Sequence, residues 1–214
     1  MRFRRPTILT AILGLICLAT LLALGTWQLD RREWKRELLA TIEERLTSPA
    51  VPIPAADGPE WEYRRVTVAG EVVPDSWFRF PGRAKDGQVG DALMLLVQEP
   101  SGRLILVEHD FVAFGAPLPE LPSAIAKEGI LRAPPTPGLF TPDNNASANQ
   151  WYFADPSAMA ALKGRGSDPV YPLYVVGEDW RPQLSNRHLE YAVTWFSFAG
   201  IFVIIFALFH RRKA

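Results

Sequence analysis

The three histidines of this sequence are the side chains best suited to binding a metal or moving a proton, and they stand at positions 109, 188 and 210. His188 and His210 lie at opposite ends of an uncharged segment that we predict to be helical. At about 1.5 Å per residue, a continuous helix holds them about 33 Å apart, so they cannot share a site. His109 ends a predicted hairpin. Because no serine is placed by spacing to form a nucleophile–base pair with it, we interpret His109 as a solvated strand end rather than a metal ligand.

The surroundings of His188 allow two interpretations. On a helix that begins near Asn186, a single stripe contains His188, Tyr191, Ala192, Trp195, Ala199 and Phe202. A haem could bind there, with His188 on the iron and Arg187 or Arg64 beside a propionate, since a guanidinium pairs well with a carboxylate. The alternative is an interfacial histidine, with Tyr191 and Trp195 in the aromatic belt of a membrane helix. Spacing alone favours this alternative.

Composition argues against several other functions. Acidic and basic residues balance at a net charge of zero, which removes the positive surface that nucleic-acid binding needs. The single cysteine, Cys17, lies in an apolar segment, so neither an intramolecular disulfide nor a cysteine metal cluster can form. One cysteine, three methionines and three dispersed histidines are also a poor ligand set for copper.

Two apolar segments position these residues in a lipid bilayer. We predict transmembrane helices at residues 7–29 and 188–209, because each contains an uncharged run long enough to cross about 30 Å of hydrocarbon. A cleavable signal peptide is the alternative for the first segment. It is disfavoured because the apolar run is longer than a signal core and because Trp27 is typical of an interfacial anchor.

The orientation follows from the two short basic tails. Residues 1–6 and 210–214 carry the arginines and lysine that favour the cytoplasmic side, which places the central region outside. The segment before the first span is too short for a transit peptide. We therefore expect a multi-pass protein of a bacterial plasma (inner) membrane with a periplasmic central domain.

Between the spans we predict an amphipathic stalk helix at residues 30–48 and one extracytoplasmic domain at residues 49–187. The fold class is α+β, with two transmembrane helices flanking a mostly antiparallel β domain, a small sheet or barrel with one or two helices. The alternating and apolar runs predict strands at 64–73, 76–80, 92–98, 103–107, 129–132 and 171–176, with a short helix at 155–162.

Several short blocks, ordered along the chain, resemble a known family. They are Gly25–Arg31 followed by Trp34-Lys35, Tyr63–Gly70, Gly129–Arg132 with Pro137-Gly138 and Phe140–Pro142, Trp151-Tyr152 with Asp155 and Met159-Ala160, and Asn186–Phe196. With these blocks the sequence is similar to the surfeit locus protein 1 family of cytochrome c oxidase assembly factors. The last block is the most specific of them.

The resemblance implies a two-span, non-enzymatic membrane chaperone that binds haem a and delivers it to subunit I of a haem-copper oxidase. By the same resemblance His188 is the ligand of the haem iron, and the expected partners are cytochrome c oxidase subunit I and haem a synthase. We expect Trp27, Tyr191 and Trp195 to pack against the macrocycle.

One block departs from the family pattern. The hairpin is followed by Val107–Val112, which lacks the arginine and tryptophan expected there, and this puts any partner contact made by that loop in doubt. The rival hypothesis is a scaffold without a cofactor, which stabilises assembling oxidase subunits through its β domain.

Overall fold

The computed structural model describes residues 6–182 and 185–210, which form two compact units. The first unit contains the described residues up to Thr41 together with those from Pro182 onward, and the second contains Ile42–Arg181. Residues 1–5, 183–184 and 211–214 lie outside the described residues, so most of both predicted cytoplasmic tails lies there too.

The first unit is built from two long helices. Helix α1 runs from Ile8 to Thr47, and helix α3 runs from His188 to Phe209. Each contains an apolar stretch long enough to cross a bilayer. Helix α1 does not break where the predicted membrane segment meets the predicted stalk. Its last turns belong to the second unit, where Ile42 and Leu46 are buried.

Small residues let the two helices of the first unit approach each other in opposite directions. A Cβ at Gly25 would lie 2.6 Å from Cε1 of Phe196, and a Cβ at Gly14 would lie 2.7 Å from Cε2 of Phe206. Ala192 and Ala199 are the buried residues of α3. Small side chains at such contacts are typical of helix pairs in membranes, where close backbone approach replaces the hydrophobic driving force.

The second unit is a β-barrel with two parallel pairings. Its strands pair in the order β1-β2-β3-β4-β6-β5, and β5 pairs back onto β2, which closes the barrel. The pairs β1–β2 and β4–β6 are parallel, and the other pairs are antiparallel. The strands span Val51–Pro52 (β1), Arg65–Lys85 (β2), Gln88–Gln98 (β3), Leu104–Ala113 (β4), Ala124–Arg132 (β5) and Val170–Val176 (β6). The predicted fold class is confirmed, with these two parallel pairings in addition.

The apolar runs of β3 and β4 are explained by burial on both faces. One cluster includes Leu95, Val97, Ile105 and Val107, and the other includes Met94, Leu96, Leu104 and Leu106. Helix α2, Pro156–Leu162, covers the second cluster with Met159 and Ala160. As its sequence predicts, α2 begins with an Asp155 carboxylate that accepts a hydrogen bond from the Ala158 N–H.

Strand β2 is longer than the sequence predicts because two bulges absorb its prolines. The chain contains Pro74 and Pro81, which favour a strand break at each position. The register of β2 against β3 shifts between Val72 and Trp77 and again between Phe80 and Arg83. Proline lacks an N–H for the ladder and is tolerated at such irregularities, so the two predicted strands join into one bent strand.

Candidate functional site

His188 is held by a side chain of the other long helix. It is the first residue of α3, and its Nδ1 lies 2.8 Å from Oε1 of Gln28 on α1. An amide oxygen only accepts hydrogen bonds, so the Nδ1 of a neutral imidazole carries the proton in this contact. The lone pair is then on Nε2, which is the atom available to a metal.

Gln28 is a site residue that sequence reasoning missed. It stands three residues after Gly25, where α1 and α3 come into close contact. Its amide group could have identified it, since Gln28 is the only amide side chain in the apolar run from residue 6 to residue 29. A polar group placed among apolar residues of a membrane helix usually has a partner on a neighbouring helix.

A second contact joins the same ends of the two helices. Lys35, seven residues and two turns beyond Gln28, donates a hydrogen bond from Nζ to the backbone carbonyl of Ser185. Asn186 lies between the two contacts, and its Oδ1 is buried without a hydrogen-bond partner in the described part of the chain. The turn before α3 is therefore fixed to α1 on both sides of a buried acceptor.

The structure brings part of the predicted stripe onto the packed face of α3 and leaves part of it exposed. Ala192 and Ala199 are 1% and 4% exposed, whereas Tyr191 is 55% exposed. Trp195 is half-buried, with its ring centroid 6.1 Å from that of Phe198 in an edge-to-face arrangement. Tyr191 is therefore largely accessible, and its predicted contact with a macrocycle stays a prediction.

The remaining predicted residues are placed as follows. Trp27 precedes Gln28 on α1 and is 54% exposed, and Arg187 is an exposed residue immediately before α3. Arg64 belongs to the second unit, where its Nη1 is buried without a hydrogen-bond partner among the described residues. A buried, unsatisfied guanidinium nitrogen is a candidate for an anionic ligand. The roles of these residues beside a haem stay predictions.

The second unit contains a separate cleft of about 900 Å³. Its apolar lining comes from several strands and loops, and includes Phe80, Ala92, Met94, Phe153, Tyr174 and Trp180. On one wall, the guanidinium of Arg132 lies 3.9 Å from the ring centroid of Trp180, and its Nε lies 3.4 Å from the Glu62 carboxylate. Such a guanidinium–aromatic contact is favourable when it is partly desolvated.

The atypical block, Val107–Val112, lines this cleft with four of its residues, 108–111. It belongs to β4 and is not a loop after the hairpin, because pairing with β3 continues to Ala113. Burial raises the pKa of Glu108 from its ordinary value, although the cations Arg83 and Lys127 act against the shift. Burial likewise lowers the pKa of His109. The prediction of a solvated strand end is wrong, because His109 is half-buried and lies within β4, which continues to Ala113. No group of three or more metal-ligating side chains occurs within residues 6–182 and 185–210, so the structure gives His109 no partners for a metal there.

The edge of β4 beside the cleft has no strand partner in the described chain. Pairing with β6 ends at Val107, while β4 continues to Ala113 against β3 alone. Two backbone groups along this edge are satisfied by side chains instead. Lys127 Nζ donates to the Glu108 carbonyl at 2.9 Å, and the Phe111 N–H donates to the Asp110 carboxylate at 2.8 Å. Such side-chain bonds protect an open sheet edge.

Two apolar helices that flank a closed β domain in the sequence define a membrane-anchored protein. The family to which it belongs is the SURF1 family, whose model matches residues 15–200. Surfeit locus protein 1 of Rattus norvegicus is 30% identical over 227 residues, which cover 91% of this chain and 74% of that protein. A SURF1-like protein of Monosiga brevicollis is 30% identical over 222 residues, covering 89% and 83% of the two chains.

A bacterial relative shares nearly the whole length. The SURF1-like protein of Rickettsia bellii is 25% identical over 222 residues, which cover 94% of this chain and 91% of that protein. The predicted family is therefore confirmed, and the family match covers the β domain and most of both long helices, from residue 15 to residue 200. A bacterial origin is consistent with this relative.

Proposed function

We propose that this protein is an assembly factor for a haem-copper (cytochrome c) oxidase, which binds haem a and delivers it to subunit I. The observation that carries the proposal is the hydrogen bond from His188 Nδ1 to Gln28 Oε1. A histidine that ligates a metal usually donates its other ring N–H to a neighbouring acceptor, which fixes the tautomer and the direction of the ligating nitrogen. Gln28 gives His188 this arrangement.

The donor set suits an iron porphyrin. In this proposal His188 supplies Nε2 to the haem iron, and Arg187, the residue before it, is the candidate for pairing with a propionate. Trp27, Tyr191 and Trp195 supply aromatic surface near the helix ends. Exposure of Trp27 and Tyr191 is compatible with a cargo that must be released rather than retained.

The proposed location is the outer end of the two spans in a bacterial inner membrane. Both termini are then cytoplasmic and the β domain is periplasmic, which accords with the basic tails. Haem a synthase is the proposed donor and oxidase subunit I the proposed acceptor. The protein itself performs no covalent step in this scheme.

The test is the visible spectrum of the protein purified after co-expression with haem a synthesis. We expect a Soret band in the wild type and its loss in His188→Ala. His210→Ala is the control, because His210 lies at the other end of α3 and, among the described residues, its Nδ1 bonds to the Phe206 carbonyl of its own helix. An unchanged haem content in His188→Ala would overturn the ligand assignment.

The cleft of the β domain supports a second candidate function, a scaffold that binds assembling subunits without a cofactor. An unpaired strand edge next to a cleft lined by both apolar and charged residues is suited to an extended polypeptide, which adds to the edge through main-chain hydrogen bonds. Arg83 and Lys85 line the cleft and form no ion pair within the described residues.

The two functions are distinguished by co-purification of subunit I. Under the scaffold hypothesis, His188→Ala retains subunit I, and the double variant Arg83→Glu/Lys85→Glu loses it. Glu71→Lys is the control, because Glu71 is an exposed β2 residue outside the cleft. Retention of subunit I by the double variant would remove the support that the cleft gives to this function.

A further inference from the structure

An apolar groove of about 330 Å³ lies between the two long helices, far from His188 along both of them. Helix α1 contributes Ala11, Gly14 and Leu18, and α3 contributes Phe202, Phe206 and Ala207. The groove is within the first unit. It exists because small residues on α1 face large aromatic residues on α3, so the helices touch at Phe206 and leave space beside it.

The groove lies on the same side of α3 as the haem-ligand candidate. Phe202 is on the stripe that begins at His188, and fourteen residues of helix separate them by about 21 Å. On α1 the ten residues from Gln28 to Leu18 span about 15 Å. Between these levels the helices are in contact at Gly25 and Phe196, so a chain that reaches the groove from His188 runs along the outside of this contact.

We propose that the groove holds the isoprenoid tail of the haem cargo and so selects farnesylated haems over haem b. The inference rests on the proposed function, since His188 must first hold the macrocycle. A farnesyl chain leaves the edge of the macrocycle, and its branched, flexible, wholly apolar form fits a narrow apolar groove. With the iron fixed at His188, the tail must extend about 15–21 Å along the helices to enter the groove at the level of Leu18 and Phe202.

A lipid acyl chain is the competing occupant, and the physical difference between the two is the tether. Lipid and groove are equally apolar, so no hydrophobic gain drives either chain into the groove, and packing decides. A tail attached to a macrocycle already bound at His188 enters as an intramolecular step with a high effective concentration. Filling the groove should therefore lower the affinity for the farnesylated haem and leave the affinity for haem b unchanged.

The test uses two haems that differ in the substituent that would enter the groove. Haem o carries the hydroxyethylfarnesyl tail, and haem b carries a vinyl group instead. Both are titrated against the full-length protein in the same lipid nanodiscs, as wild type and as the groove-filling variant Ala11→Leu/Ala207→Leu. Ala19→Leu is the control, because Ala19 is exposed on α1 and does not line the groove.

We expect the groove-filling variant to bind haem o about tenfold more weakly than the wild type does, a difference of about 1.4 kcal/mol, with haem b affinity unchanged. Ala19→Leu should retain both affinities. Partition of each haem into lipid is the same for all variants, so it cancels in these comparisons. Equal effects of groove filling on the two haems, or no effect on haem o, would overturn the proposal.

A direct readout supplements the titration. A photoreactive benzophenone side chain placed at Ala207 should form an adduct with the mass of haem o, and the same group at Ala19 should not. An adduct with lipid alone at position 207 would assign the groove to lipid. Failure of the proposed function gives a different result, because His188→Ala would then bind both haems with wild-type affinity.

Discussion

Nδ1 of His188 and Oε1 of Gln28 lie 2.8 Å apart, and this contact joins two helices whose residues are 160 positions apart in the chain. The imidazole is therefore oriented by α1 before any ligand arrives. Preorientation of this kind lowers the cost of binding, since the side chain is not ordered at the moment of binding. The contact makes Gln28 a positioning residue for His188.

Gln28→Leu should weaken haem binding about 10- to 100-fold, the usual effect of removing the partner of a ligating histidine. The measurement is a Soret titration, together with the electron paramagnetic resonance spectrum of the ferric haem, which reports ligand orientation. Thr26→Val is the control, because in the described part of the chain the Thr26 hydroxyl bonds only to carbonyls of its own helix. A wild-type affinity in Gln28→Leu would show that the contact does not orient the ligand.

Gly25→Ala should lower the midpoint of thermal unfolding of the purified protein in detergent. The added Cβ meets Phe196 at 2.6 Å, so α1 and α3 must move apart or the ring must turn. Gly200→Ala is a matched control on α3, because nothing lies within 4 Å of its added Cβ. Since alanine favours a helix over glycine by about 1 kcal/mol, Gly200→Ala should leave the midpoint unchanged or raise it. Equal midpoints for the two variants would contradict the packing described for Gly25.

The pH dependence of stability should contain a contribution from Glu108. Burial raises the pKa of its carboxyl above the ordinary value of 4.5, so above that pH the folded state binds more protons than the unfolded state. This contribution to the free energy of unfolding is complete below pH 4.5 and is lost as the pH rises through the folded-state pKa. Glu108→Gln should remove this fall in the free energy of unfolding with rising pH.

The measurement for Glu108 is urea unfolding of the full-length protein across this pH range, followed by tryptophan fluorescence. Glu71→Gln is the control, because Glu71 is exposed on β2. A decline of the same size in Glu108→Gln and in the wild type would assign the pH dependence to other groups.

Arg103→Ala should destabilise the β domain by about 1.5–3 kcal/mol, the range for hydrogen bonds to charged groups. Arg103 donates to the Glu99 carboxylate at 2.7 Å and to the Pro54 carbonyl at 2.9 Å, and its guanidinium lies 4.5 Å from the Tyr171 ring centroid. It thereby attaches the segment after β1 to the barrel.

The matched comparison for Arg103 is Arg79→Ala. Arg79 forms a more exposed ion pair with Asp91 at 3.1 Å, and such pairs contribute less than about 1 kcal/mol. Chemical denaturation of both variants measures the difference. If Arg103→Ala cost no more than Arg79→Ala, the attachment of the segment after β1 would be unimportant for stability.

The fold could largely be predicted from local patterns in the sequence. The apolar runs of β3 and β4 predict strands with both faces covered, and each face does belong to a separate buried cluster. The Asp155-Pro156 pair predicts the start of α2. These signals work because alternation, apolar length and capping chemistry depend on nearby residues only.

The features that the sequence did not predict depend on residues that are far apart in the chain. Strand β5 begins at Ala124, five residues before the predicted start, because pairing with β2 stabilises a stretch of alanine, lysine and glutamate that has little strand preference of its own. Gln28 was missed for the same reason. Its role depends on a histidine that is distant in the sequence, and only the folded structure brings the two together.

The closing order of the barrel has a consequence for how the chain folds during synthesis. Strand β4 pairs in parallel with β6, and β2 pairs with β5, so the partners that close the barrel are the last two strands of the domain to leave the ribosome. Until then β2 and β4 present open edges, and pairings between distant residues form slowly. The barrel therefore cannot close until β6 is complete, shortly before α3 emerges.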